Sequence, residues 1–155
     1  MGARYICLNP PAEDESAELI HSYYDFVEQK AQQHCEDMTP RSIEQGRDKT
    51  LRSYEENDVF LIDSIIDQSL MDFINYSGNI IPLTEGSGPW FVRAENIDEL
   101  ISLFRGAVSR LESGDEEALS AYPYDPEKAR CVFETGLIAI CEFSLKNCYD
   151  VKIID

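Results

Sequence analysis

Apolar positions along this chain alternate in short runs near both ends and recur every three or four residues between them. Arg4–Leu8 reads as a short β-strand, stopped by Asn9-Pro10-Pro11. From about Asp14 to His34 the pattern is helical. Leu19, Tyr23, Phe26 and Val27 share a stripe, and Glu13, Asp14, Glu15 and Glu18 gather near the start, where carboxylates complement the helix dipole. Thr39-Pro40 opens a second helix, over about 40–55, whose polarity predicts a surface position. Val59–Ile62 is either a short buried strand or the lead-in to a helix capped by Asp63 or Ser64. Ile66, Leu70, Phe73 and Ile74 then form an apolar stripe closed by Gly78. Asn79–Leu83 reads as extended, because the residue before a proline avoids the helical region. Thr84–Pro89 is a loop, and Trp90–Arg93 suits a strand.

The clearest helix runs from Asn96 to Ser113. Asn96 and Glu99 have the spacing of a capping box, and Ile97, Leu100, Ile101, Phe104, Val108 and Leu111 make one apolar face before Gly114. Asp115–Ala121 adds a short helical turn. Asp125-Pro126 starts a last helix over 126–146 that is apolar on nearly every side, which predicts a central, covered element. Gly136 inside it predicts a close backbone approach, because glycine costs about 1 kcal/mol against alanine in a helix. Tyr149–Asp155 alternates again and reads as a terminal strand with Val151 and Ile153 on one face. The fold class is α+β: a single globular domain over 1–155, with about five helices packed on a small sheet to which both chain ends are candidate strands.

Charge changes the picture more than composition does. At 155 residues and 43% hydrophobic the chain can bury a core, yet it carries a net charge of −17. Residues 1–50, 51–100 and 101–155 each hold ten acids against five, two and six basic residues, giving −5, −8 and −4. The whole domain is acidic, and its middle most of all. Such a field repels nucleic acid and anionic membranes and attracts basic proteins. The most apolar stretch, Gly136–Cys141, is too short to span a bilayer. The N-terminal residues lack the apolar length of a signal peptide, so the expected compartment is the cytoplasm. There, Cys7, Cys35, Cys131, Cys141 and Cys148 are expected as five thiols, mostly buried, with no intramolecular disulfide.

Catalytic and metal chemistry finds no motif. His21 and His34 both fall in the first helix, thirteen residues apart, and read as surface residues. No HxxxH, HExxH or paired-cysteine spacing occurs, so neither metal nor other cofactor is expected. Gly86-Ser87-Gly88 reads as a turn: Pro89-Trp90 follows it where a phosphate loop needs a helix start. Asp58, Asp63, Asp67 and Asp72 lack the framework of a calcium loop; Asp63 and Asp67, a helical turn apart, are expected on one face. Arg47, Lys49 and Arg52 are placed to pair with the acids that follow them.

The candidate partner-binding residues are Glu55, Glu56, Asp58, Asp63, Asp67, Asp72, Glu85 and Trp90. They lie in the segment Glu55–Glu99, which holds all ten acids of the middle third. Acids steer a basic partner, and an aromatic beside a loop supplies a desolvated anchor; the competing reading of Trp90 is a core residue on its strand. In size, charge and compactness the chain resembles bacterial immunity proteins, which block a cognate toxin. The resemblance implies a basic protein partner, with a nuclease toxin domain as the natural target, and no direct contact with nucleic acid or membrane. The alternatives are a mimic of nucleic-acid charge acting on a host or phage DNA- or RNA-binding protein, and an enzyme using its acids for proton transfer.

Overall fold

The computed structural model describes residues 4–36, 40–76 and 88–155. Among them are seven α-helices and four strands, in the order β1 (Arg4–Asn9), α1 (Ala17–His34), α2 (Pro40–Asn57), β2 (Asp63–Ile66), α3 (Gln68–Tyr76), β3 (Trp90–Val92), α4 (Ile97–Glu112), α5 (Glu116–Ala121), α6 (Ala129–Thr135), α7 (Leu137–Lys146) and β4 (Asp150–Ile154). The class is α+β, as the patterning implied, and both chain-end strands join the sheet.

That sheet is antiparallel, in the order β2-β1-β4-β3. Its centre is the pair β1–β4, with Tyr5 opposite Ile154 and Leu8 opposite Val151. Ile6, Leu8, Ile66, Val92, Val151 and Ile153 point to one face and are buried there. α7 covers that face. It touches β1, β2, β4, α1, α4 and α6, and Leu137, Ile138, Ala139, Ile140, Cys141 and Phe143 are all buried. The other face carries Tyr5, Cys7, Asp63, Ile65, Phe91, Lys152 and Ile154, of which Asp63, Ile65 and Phe91 are exposed.

Local signals explain most boundaries. Pro11 leads into a single 3₁₀ turn, Ala12–Asp14, and Ser16 then caps α1 by accepting the Leu19 N–H at 3.1 Å, so the helix proper starts three residues after Asp14. α2 is polar and lies against α1, where Tyr24 and Thr50 share a hydrogen bond of 2.7 Å. The strand expected at Val59–Ile62 forms its ladder later, at Asp63–Ile66, although Leu8 already donates to the Ile62 carbonyl at 2.9 Å. α3 is therefore capped by Asp67, which accepts the Leu70 N–H at 2.8 Å; neither Asp63 nor Ser64 does this. Asn96 makes no side-chain cap: a 3₁₀ turn over Ala94–Asn96 precedes α4 and holds Asn96 in helical geometry. The expected Gly78 stop, the extended Asn79–Leu83 and most of the Thr84–Pro89 loop lie outside the described residues.

The long C-terminal helix is corrected to two. Residues Pro126–Lys128 form a 3₁₀ turn capped by Asp125, α6 follows, and the chain breaks at Gly136 (φ −116°, ψ −96°) before α7. The break turns Val132 outward, 55% exposed, while Leu137 and Ile140 stay buried. The all-round apolar sequence thus serves two helices of different burial. Gly136 does mark a close approach: a Cβ there would lie 3.0 Å from Ser64 Oγ on β2 and 3.0 Å from the Val132 carbonyl oxygen. Gly136→Ala should therefore cost about 1–3 kcal/mol, as overpacking does. Urea unfolding that gives the parental midpoint would mean the α6–α7 corner yields freely.

Candidate functional site

The acidic middle of the chain resolves into an exposed run along the α2–β2 connection. α2 ends where Asp58 adopts a left-handed conformation (φ 55°), which aspartate tolerates better than most residues. From there the chain runs extended, and its side chains alternate. Phe60, Ile62, Ser64 and Ile66 turn inward: Ile62 and Ile66 join the core, and Phe60 packs edge-on against Tyr54. Val59, Leu61, Asp63 and Ile65 turn outward and are exposed. Glu55, Glu56 and Asp58 are exposed beside them and form no ion pair among the described residues. One strip thus interleaves acids with exposed aliphatic side chains. Sequence reasoning named the acids and passed over Val59, Leu61 and Ile65, although their period-two spacing was the available signal.

The other candidates separate from this strip. Asp63 is on a strand and Asp67 at a helix N-terminus, so the shared helical face does not exist. Asp67 also accepts a hydrogen bond from the Tyr124 hydroxyl, and Asp72, exposed on α3, accepts one from Gln68 at 2.9 Å. Trp90 sits on β3, at the opposite edge of the sheet from β2, roughly 14 Å away at three strand spacings. It is half-buried, packs on the core, and has the Arg4 guanidinium stacked 4.4 Å from its ring centre. Trp90 lies on the covered face of its strand and is partly buried there, and the exposed aromatic of β3 is its neighbour Phe91. Glu85 lies outside the described residues. Arg47 turns back to Asp25 and Glu44 and does not meet the acids that follow it.

Electrostatics on the strip follow from its surroundings. Partial desolvation against the sheet pushes the Asp63 carboxyl above its ordinary value, partly offset by its own backbone N–H and by Lys49. Beside it Cys7 is buried between strands; burial and then Asp63 push its thiol up to about 11 despite Lys152, so it is no nucleophile at neutral pH. Cys141 is fully buried and its thiol is likewise raised by desolvation. Cys148 is exposed.

A second cluster of charge lies inside the helical layer. Lys30 of α1 reaches Glu134 of α6 at 2.6 Å and also pairs with Glu142 of α7. Arg105 of α4 forks onto both Glu134 oxygens, at 3.1 and 3.2 Å, and meets Glu142 at 3.2 Å. His34 Nε2 stands 3.7 Å from Glu134. Glu134 is 1% exposed, but Arg105 opens the cluster to water at one end. Burial pushes the Glu134 carboxyl up; hydrogen bonds from Arg105 and Lys30 outweigh it and hold it below the ordinary range. Each charge meets an opposite one, so the group clamps four helices together.

The same corner carries a bond that corrects the sequence reading. Cys35, just past α1, is joined to Cys131 of α6 in a disulfide across 96 residues. A pairing of that range leaves no trace in local spacing. His34, next to it, turns to Glu134, and His21 meets Arg47 Nη1 at 3.1 Å. Among the described residues, no group of three or more His, Cys, Asp or Glu is arranged to hold a metal ion. A depression of about 340 Å³ lies between Asn9–Pro11 and Cys148–Asp150; of its polar groups, Tyr149 donates to Asp14 at 3.0 Å, and Asp150 accepts from Ala94 at 2.9 Å and Arg93 at 3.1 Å. No described helix is long and apolar enough to cross a membrane.

The fold and its surface thus define an acidic α+β domain with an exposed mixed acidic and aliphatic strip. No protein-family model matches the chain, and no curated protein or solved structure matches it significantly.

Proposed function

We propose that this chain is an acidic binding protein of the immunity type, which neutralises a basic toxin by covering its active cleft or an adjacent surface. The reading rests on one observation: the exposed run Glu55, Glu56, Asp58 and Asp63, which forms no ion pair among the described residues, on a chain of net charge −17. A toxin acting on RNA or DNA is the natural target, because a cleft that holds phosphates is itself positive. The acids speed encounter and fix orientation, and the interleaved Val59, Leu61 and Ile65 provide the contact that loses water. Those aliphatic residues also weigh against a nucleic-acid mimic, whose carboxylates need phosphate-like spacing without apolar interruption. The reading places the chain in the cytoplasm, where the Cys35–Cys131 bond meets a reducing environment.

Capture on the immobilised chain from extracts of the source cells, at low salt, should retain a strongly basic protein and release it as salt rises. Charge reversal of Glu55, Glu56 and Asp63 to lysine should then slow its association about tenfold at low salt and flatten the salt dependence. Asp67 is left untouched, because losing its cap would cost about 1 kcal/mol of stability. Unchanged association by the triple variant would place the interface elsewhere. Retention of no basic protein would remove the reading itself.

A further inference from the structure

We propose that β2 is a docking edge, to which the basic partner adds an extended cationic segment as a further strand of the sheet. The proposal rests on the basic-partner reading and specifies how that partner is gripped.

The register carries it. Leu8 donates to the Ile62 carbonyl, so Leu8 and Ile62 form a hydrogen-bonded pair. Such pairs alternate along an antiparallel ladder, which makes Ile6–Ser64 and Arg4–Ile66 the next ones. The backbone groups of Leu61, Asp63 and Ile65 therefore point away from β1. No strand pairs with them among the described residues, since β2 ends the sheet. The side chains of the same residues stand exposed, Leu61 at 44% and Ile65 at 57%. Edge strands are normally guarded by short length, charged side chains (lysine above all), proline or a bulge, and the one charge on β2 is Asp63. β3, the opposite edge, is three residues long and bounded by Pro89 and Arg93. Between Ser53 and Ile66 there is no Lys, Arg or Pro at all.

Charge selects the occupant. A second copy pairing across a two-fold axis at Asp63 would set Asp63 against Asp63 and bring together two chains of −17 each; like charges directly opposite destabilise a sheet. A strand with Lys or Arg opposite Asp63 and aliphatic residues opposite Leu61 and Ile65 meets both features. In strand addition, main-chain bonds supply affinity and alternate side chains supply selectivity.

The probe is a blocked synthetic peptide, KTVTKTVTK, which presents Lys and Val alternately on one face and Thr on the other. Its control is the same peptide with the face-pairing amides N-methylated, which keeps the charge and cannot pair. At low salt the parent peptide should slow amide exchange at Asp63 and Ile65 at least tenfold and leave Ile6 unchanged. The methylated peptide should bind at least tenfold more weakly. Ile65→Pro removes one outward N–H at an edge, where proline is tolerated; it should lower affinity similarly, with the fold checked by circular dichroism. Ile65→Thr, which keeps the amide, should still show the exchange protection. Equal binding of the two peptides, or protection elsewhere, would overturn strand addition and leave charge-driven capture of a basic protein standing. Failure of the peptide to bind at all would also overturn it, while the extract capture decides the broader reading separately. Protection of Asp63 and Ile65 without peptide, in a chain that sediments as a dimer, would overturn the choice of occupant.

Discussion

Glu134→Ala is expected to lower the unfolding free energy by about 3–5 kcal/mol, the range for removing one member of a buried ion pair. The reason is less the lost attraction than what remains. Lys30 is 7% exposed, and its nearest carboxylate is Glu134 or the more solvated Glu142. Without Glu134, Lys30 stays desolvated with half its partners, and Arg105 loses a two-pronged contact. Urea unfolding of parent and variant measures the difference; a loss below about 1 kcal/mol would show that Glu142 alone satisfies the cluster. The sign of the pH dependence follows. The Glu134 carboxyl is held below its ordinary value of 4.5, so the folded state binds that proton less readily than the unfolded chain. Its stabilisation is complete above the ordinary value and is lost as pH falls through the lowered one. Glu134→Gln should flatten that acid-side decline, and an unchanged slope would assign the decline to other carboxylates.

Reduction of Cys35–Cys131 is expected to cost about 2–4 kcal/mol and to leave the protein folded. The bond closes 96 residues, a loop long enough that opening it enlarges the unfolded ensemble considerably. α1 and α6 nevertheless stay joined by Lys30–Glu134 one helical turn away, and α7 holds both from the other side. The unfolding midpoint of the parent should fall on addition of dithiothreitol to that of a Cys35→Ser, Cys131→Ser double variant, which dithiothreitol leaves unchanged. A chain that unfolds on reduction at room temperature would mean that the ion cluster does not hold the corner alone.

Periodicity made α4 and β4 legible, because each has one clear apolar face and meets the core through it. It misjudged the 126–146 region, since an apolar run gives no phase from which to see that Gly136 reorients the chain and exposes Val132. Between Val59 and Ile66, eight residues with a period-two pattern also contain helix-compatible spacings, so Val59–Ile62 reads as a strand or as a lead-in capped by Asp63 or Ser64, whereas the ladder runs Asp63–Ile66 and Asp67 caps α3. The acids of the candidate strip were visible by composition. What surrounds them was not: the edge position of β2 depends on which strand pairs with which. Lys30 with Glu134 and Cys35 with Cys131 are partners across 104 and 96 residues, and nothing within reach of either points to the other. For Trp90 the sequence supports both an anchor beside a glycine-rich loop and a core residue on its strand; the pleat sets it, partly buried, on the covered face and turns Phe91 outward.

The pairing of β1 with β4 has a consequence for synthesis. β1 leaves the ribosome first among the described elements and its central partner last, so at about 5–20 residues per second β1 waits roughly 7–30 s for β4. During that interval only β2 can pair with it, and α7, the helix that covers Ile6 and Leu8, has not yet formed. A nascent chain halted before α7 would present those side chains and an open strand edge together, which is the surface that chaperones bind.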